Sequence, residues 1–301
     1  MTDFSPDPER SERARLSLKG LSVGDAFGQL FFLPWVAETA TREHLPESPW
    51  HYTDDTEMGI AIVQVLEAHG EINQDALAQV FADRHAAEPN RCYGAGAHQL
   101  LGQISSGADW RVACRDLFGG QGSFGNGGAM RAGPVGAWFA DDVEATIEHA
   151  RRSAEVTHAH VEGQAGAIAV ALAAGWAWRW SPAGQVEPAG NMLRWVANRL
   201  PDSEVAASVR RAADIPVGTW QFDVAAELGC GDQVTAQDTV AFSLWMASVH
   251  LTDYAEAILT TARVGGDADT TSAIVGSIVS LAVGSDGIPN EWVRRRESLC
   301  W

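Results

Sequence analysis

Three things are scarce in this sequence, and each shortage excludes something. Positive charge is the first: 21 Lys and Arg stand against 39 Asp and Glu, a formal charge of −18. A field of that sign repels bulk nucleic acid and anionic membrane surface, and argues against both as partners. It leaves room for a small anionic substrate, because metal ions, backbone amides and one or two arginines can reverse the sign locally. Cysteine is the second. Cys92, Cys114, Cys230 and Cys300 form no CxxC pair and are too few to staple 301 residues. A reduced cytoplasm is the simplest setting and the expected location. Long apolar runs are the third. Met1–Arg15 is polar and charged, without an apolar h-region. The longest apolar run, Ala165–Trp180, is Ala-rich, falls short of a membrane span and reads as a buried helix.

Strand signals are also thin, since no alternating apolar runs recur between turns. Helical periodicity dominates, and 46% hydrophobic residues suffice for a sizeable core. The patterns predict helices over Arg13–Leu30, Thr56–Ala68, Tyr93–Ile104, Asp109–Phe118, Met130–Ala140, Asp142–Thr157 and Val161–Arg179. Others follow over Met192–Leu200, Ser203–Ala213, Asp238–Ser248, Tyr254–Arg263, Thr270–Ala282 and Glu291–Glu297, and Asn73 is placed to cap one more. Pro182–Gly190 and Gly284–Asn290 read as loops, neither long enough to divide domains. The expected architecture is therefore all-α and single-domain: a flexible segment 1–12, then one domain over 13–301. The crowded Trp176, Trp178, Trp180 and Trp195 read as helix-packing surface, with an exposed ligand platform as the alternative.

Two segments carry chemistry. Tyr52-Thr53-Asp54-Asp55-Thr56-Glu57-Met58 sets adjacent acids and hydroxyls where a helix begins. A helix cap explains one such residue, but surplus carboxylates repel unless solvent or a cation lies between them. Far along the chain, Gly265-Gly266-Asp267-Ala268-Asp269-Thr270-Thr271 repeats the design before another apolar helix. All-oxygen donors suit hard cations such as Mg²⁺ or Mn²⁺. Brought together, the two clusters offer enough ligands for a binuclear centre that activates a water and anchors a hydroxyl-bearing substrate.

Between them lies Gly119-Gly120-Gln121-Gly122-Ser123-Phe124-Gly125-Asn126-Gly127-Gly128-Ala129-Met130-Arg131. Its glycines permit turns that expose successive amides to an oxyanion, with Ser123 and Asn126 as directed donors. It matches neither a Walker loop nor a dinucleotide fingerprint, and a flexible surface loop is the other reading. His158, after Thr157, either contacts a phosphate or ribose oxygen or is bonded within the core.

Together with Gly24-Asp25-Ala26-Phe27-Gly28, these segments occur in the order found in the ADP-ribosylglycohydrolase family, which the sequence resembles. The TDDTEM-like stretch is similar to the bacterial dinitrogenase-reductase-activating type. The resemblance implies an all-helical fold with a central cleft, two Mg²⁺ or Mn²⁺ ions, and cleavage at the anomeric carbon of ADP-ribose. It implies Thr53, Asp54 and Asp55 as one ligand set and Asp267, Asp269 and Thr270 as the other. Ser123, Gly125, Asn126, Gly127 and Met130 become a diphosphate and ribose cradle, with His158 contacting the ligand and Asp25 a structural acid. The expected activity is hydrolysis of the N-glycosidic bond of ADP-ribosylarginine on proteins, with Asp54 or Asp55 orienting the water and ADP-ribose as product. Serine-linked ADP-ribose, O-acetyl-ADP-ribose and a binding module with little turnover are the alternatives. One departure bears on the choice: Phe32 stands where family members commonly carry a glutamate.

Overall fold

The computed structural model describes residues 7–180 and 189–301. Helix α1 (Pro8–Gly28) starts earlier than its apolar pattern. Asp7 accepts from the Glu9 amide, and Pro8 sits in the first turn, where a missing N–H costs nothing. The segment expected to be flexible, 1–12, is thus helical from Pro8; its first six residues lie outside the described ones. A short 3₁₀ turn, Gln29–Phe32, and α2 (Pro34–Thr39) follow. Next come α3 (Asp54–His69), α4 (Gln74–Ala87), α5 (Ala95–Ser105) and α6 (Trp110–Gly120). Gly70 ends α3 in the left-handed region, and Asn73 caps α4 by accepting from the Ala76 amide.

The helix expected over Met130–Ala140 is instead two short pieces, α7 (Gly127–Met130) and α8 (Gly133–Trp138). Arg131 breaks them apart by turning its side chain fully into the interior. Beyond lie α9 (Val143–Glu155), α10 (Val161–Trp180), α11 (Ala189–Ala197), α12 (Glu204–Ala212) and α13 (Gln221–Leu228). The chain closes with α14 (Ala236–Val249), α15 (Tyr254–Val264), α16 (Ala268–Gly287) and α17 (Asn290–Arg295). Helices α2 and α13 were not foreseen. The predicted loop at Gly284 is a kink (φ 73°) within α16, which continues to Gly287. The other predicted loop, Pro182–Gly190, lies outside the described residues except for its last two, which open α11. The described residues form no sheet, only two isolated bridges.

The centre of the bundle is the antiparallel pair α1 and α16. A Cβ on Gly20, Gly24 or Gly28 would lie 2.2–2.3 Å from the carbonyl oxygens of Gly276, Ser272 and Ala268 respectively. Glycines four apart on one face thus let two backbones touch. Ala-rich α10 packs beside them on α8, α9, α14 and α16, and its alanines are buried. Helix α16 is long and apolar enough to cross a membrane by length and composition, yet 78% of its apolar window is packed inside the protein. Trp176 is buried; Trp178 stacks with Arg13 and Trp195 with Arg179 and Arg199, as packing surface.

Candidate metal centre

Pairing α1 with α16 has a direct consequence: Asp25, within α1, is brought beside Asp269, in the first turn of α16. Helix α3 contributes Asp55 between them. Ligand oxygens of Asp25, Asp55 and Asp269 all lie within 4.8 Å of one another, and all three residues are buried. The two acidic segments singled out in the sequence therefore meet, joined by an acid read as purely structural.

Asp25 has two tasks. Its carboxylate accepts from the Thr53 amide (3.0 and 3.1 Å), the Thr53 hydroxyl (2.9 Å), the Thr56 amide (3.1 Å) and the Thr56 hydroxyl. It caps the start of α3 from another helix and fixes the direction in which Asp54 and Asp55 leave the backbone. Thr53 is also the N-cap of α3. Its hydroxyl faces both Asp25 Oδ1 and Asp55 Oδ2 (3.1 Å) but has one hydrogen for the two. Thr270 donates to Asp55 Oδ2 at 3.4 Å, whereas Asp55 Oδ1 is buried without a partner.

Burial and mutual repulsion drive these carboxyls toward the protonated form. Asp25 is pushed up to about 6, chiefly by burial, against the hydrogen bonds it accepts. Asp54 is pushed up to about 8 by burial and then by Asp25 and Asp267. Asp55 and Asp269 rise well above the usual carboxylate range, first by burial and then by neighbouring acids. An orphaned carboxylate oxygen amid buried acids is the environment a hard cation relieves. Asp25, Asp55 and Asp269 therefore each offer an oxygen to one hard cation, with the Thr270 hydroxyl beside Asp55; Asp54 and Asp267 raise the negative charge around them without joining that group.

A cavity of about 630 Å³ opens from this cluster. Asp54, Asp55, Asp267, Asp269 and Thr270 line one end, and Ser123, Gly125, Asn126, Gly127, Met130 and His158 line its wall. Thr53 does not reach this wall. The glycine segment is no loose loop. Asn126 N donates to Val234 O, Ala236 N donates to Phe124 O, and the Asn126 amide group donates to Asp267 Oδ2 (2.6 Å) and Thr239 Oγ1 (3.0 Å). Ser123 Oγ accepts from Gly125 N, holding the turn.

His158 is buried, and burial pushes it down to about 3, so its ring is neutral. Arg131, which can only donate, reaches Thr157 Oγ1 at 2.8 Å. The single Thr157 hydrogen is then free for His158 Nδ1 at 2.7 Å, leaving the ring hydrogen on Nε2. A Cβ on Gly127 would lie 3.2 Å from that Nε2, so glycine keeps the space before it open. Arg131 also donates to Gly127 O and Ser153 O, sits 4.7 Å over Phe81, and feels Asp54 without an ion pair among the described residues. Its buried charge lines the cavity and opposes the acids. Arg131 closes the glycine segment in the sequence, where no local signal marks it as part of the site.

Among the described residues, all three non-glycine residues with positive φ line this cavity: Cys92 (65°), Phe118 (53°) and Val234 (55°). Backbone strain of this kind gathers at functional sites. Phe118 and Phe124, with ring centroids 6.3 Å apart, add an aromatic wall to the cavity.

Compared with known families, residues 6–300 match the model described as ADP-ribosylglycohydrolase. The chain belongs to the ADP-ribosylglycohydrolase family. Relatives include ADP-ribosylhydrolase ARH3 of Gallus gallus, 29% identical over 87% of this chain and 77% of that one. The Homo sapiens ARH3 is 27% identical over 93% and 88%. ADP-ribosylarginine hydrolase Tri1 of Pseudomonas putida is 25% identical over 98% and 76%. A solved structure titled "ADP-ribosylglycohydrolase-related protein complex" superposes with a TM-score of 0.65 at 22% identity, covering 96% of this chain and 93% of that one, a likeness of fold. An all-helical ADP-ribosylglycohydrolase with an acidic cleft is thus what the residues build.

Proposed function

We propose that this ADP-ribosylglycohydrolase releases ADP-ribose from O-linked conjugates, serine-linked ADP-ribose or O-acetyl-ADP-ribose, using two Mg²⁺ or Mn²⁺ ions. The observation that carries the hydrolytic reading is the orphaned Asp55 Oδ1 inside the acid cluster at one end of the cleft. The acceptor reading is supported by the greater identity to hydrolases named ARH3 than to one named for arginine. It departs from the arginine-linked substrate expected from the motifs. Phe32, 53% exposed on the turn after α1, does not line the main cleft and does not decide between acceptors. The arginine reading keeps one support, the likeness to Tri1 along 98% of this chain. A dinitrogenase-reductase-activating subtype rests on the Thr53–Met58 stretch alone.

When bound, the ions supply positive charge to the ribose hydroxyls and acidify a water. Asp54 and Asp55 would orient the attacking water, take its proton as the new C–O bond forms and return a proton to the acceptor oxygen as the old C–O bond breaks, while the surrounding carboxylates stabilise positive charge developing at the anomeric carbon. The amides of Gly125 and Gly127, the Asn126 side chain and His158 Nε2–H bind the diphosphate and ribose, and Arg131 offsets the phosphate charge. Phe118 and Phe124 stack the base. The test is ADP-ribose release from serine-linked, acetylated and arginine-linked substrates with Mg²⁺ or Mn²⁺. Release from the first two at the higher kcat/KM is expected. Preference for arginine overturns the acceptor reading, and binding without release from any of them leaves a regulatory module.

A further inference from the structure

A second cavity, of about 400 Å³, adjoins the first, and Cys92 lines both. Thr53, whose hydroxyl meets Asp25 and Asp55, lines the second and not the first. This space therefore lies against the Thr53 side of the acid cluster. Its lining also includes the polar side chains of Gln29, His51, Glu88, Asn90, Arg91 and Glu297, with Tyr52 beside them.

Its wall is built. Arg91 donates to Tyr52 O (3.1 Å) and to Glu297, and its own carbonyl accepts from the Asp54 amide (2.7 Å), tying the 88–92 loop to the start of α3. Glu297 Oε1 also accepts from the Tyr52 amide at 3.0 Å, while Oε2 lies 3.0 Å from His51 Nδ1. A carboxylate only accepts, so Nδ1 carries the hydrogen and Nε2 is left as an acceptor. That Nε2 has no partner among the described residues, and the His51 side chain is 68% exposed. Glu88 is 54% exposed, and its one ion pair is a loose 3.7 Å contact with Arg91. Arg91 is already engaged by Glu57, Glu88 and Glu297, so the space favours neutral or basic groups over acids.

The main cleft orders its ligand: base at the aromatic wall, diphosphate at the glycine segment, distal ribose at the acids. The group attached to that ribose must then continue past the acids, away from the diphosphate. We infer that the second cavity is the acceptor subsite, which receives the modified residue and the flanking backbone of a peptide. His51, Glu88 and Asn90 contact that peptide, and Glu297 is the positioning residue that holds His51. This inference rests on the reading of the main cleft as the ADP-ribose site.

Calorimetry on the metal-loaded protein tests it, comparing ADP-ribose with a short peptide that carries ADP-ribose through a hydrolysis-resistant S-glycosidic link. The ratio of the two affinities is the readout. The wild-type protein is expected to bind the peptide conjugate more tightly than ADP-ribose. His51→Ala and Glu88→Gln are each expected to cut that ratio about tenfold, the worth of a hydrogen bond to a charged or oriented group. Glu297→Gln, which keeps the shape, is expected to lower it as well, and melting curves of all variants establish folding. A wild-type ratio of one, or ratios retained in His51→Ala and Glu88→Gln, overturns the subsite while leaving the ADP-ribose reading intact. Failure to bind ADP-ribose overturns both.

Discussion

Replacing Gly24 by alanine tests how the site is assembled without touching a ligand. The new Cβ would lie 2.2 Å from Ser272 O and 2.8 Å from its carbonyl carbon, whereas ordinary contact begins at 3.4 Å. The obstacle is helix backbone, so α1 and α16 must separate by roughly 1 Å. Overpacking of this kind costs about 1–3 kcal/mol. For a chain of this size that lowers the melting temperature by about 2–4 °C per kcal/mol. The neighbouring residue is Asp25, whose oxygens lie within 4.8 Å of those of Asp55 and Asp269, so the same shift spreads the acids. Metal ligands tolerate only about 0.2 Å of error. Gly24→Ala is therefore expected to melt lower and to bind Mn²⁺ more weakly, by scanning fluorimetry and calorimetry respectively. Gly102→Ala is the control, because a Cβ in that part of α5 meets nothing within 4 Å. It is expected to gain about 0.5–1 kcal/mol from the lost freedom of the unfolded chain. A Gly24→Ala protein with wild-type melting and metal affinity would refute the argument that close backbone contact sets the carboxylate spacing.

Other outcomes follow from the same geometry. Asp55→Asn replaces a carboxyl that on burial must either keep its charge or take up a proton, so the metal-free variant is expected to melt above the wild type while its metal-induced rise in melting temperature disappears; a lower metal-free value contradicts the burial and repulsion described. The folded-state pKa values of Asp25 (about 6) and Asp54 (about 8) lie above that of an unfolded aspartate, about 4, so the native state binds more protons from about pH 4 up to about 6 through Asp25 and up to about 8 through Asp54. Stability of the metal-free protein is then expected to fall as pH rises through that window, and urea titrations with and without Mg²⁺ should show the slope only without the ion. Phe118→Ala is expected to weaken ADP-ribose binding by about 1–3 kcal/mol, the worth of one stacked base, without altering Mn²⁺ affinity; unchanged calorimetry removes Phe118 from the aromatic wall.

Much of this arrangement was legible in the sequence because the signals are local. The acid-rich starts of α3 and α16, the αL glycine after α3 and the Asn73 cap each depend on residues within one turn. The meeting of the two acidic segments follows from i, i+4 glycines on α1, visible as a spacing although the partner helix is not. Asp25 was harder to place. A carboxylate inside an apolar helix must find donors, but that those donors are the amides and hydroxyls of Thr53 and Thr56 is a tertiary fact. The break at Arg131 was hidden for a similar reason, since the local pattern continues through it and only the buried partners Gly127 O, Ser153 O and Thr157 Oγ1 turn the side chain inward. The apolar periodicity of α1 begins only at Arg13, whereas its true start is marked by the Asp7 cap and Pro8. The second cavity joins residues from the segment before α3, the loop after α4 and the segment after α17, and no spacing announces such a union.

The pairing of α1 with α16 also bears on synthesis. Helix α1 leaves the ribosome early and waits for most of the chain before its partner emerges. Until then Asp25 has no Asp269 beside it, and a nascent or prematurely terminated chain carries an unfinished acidic patch in place of a chelating site. The cluster of Asp25, Asp55 and Asp269 is thereby completed only once α16 has emerged.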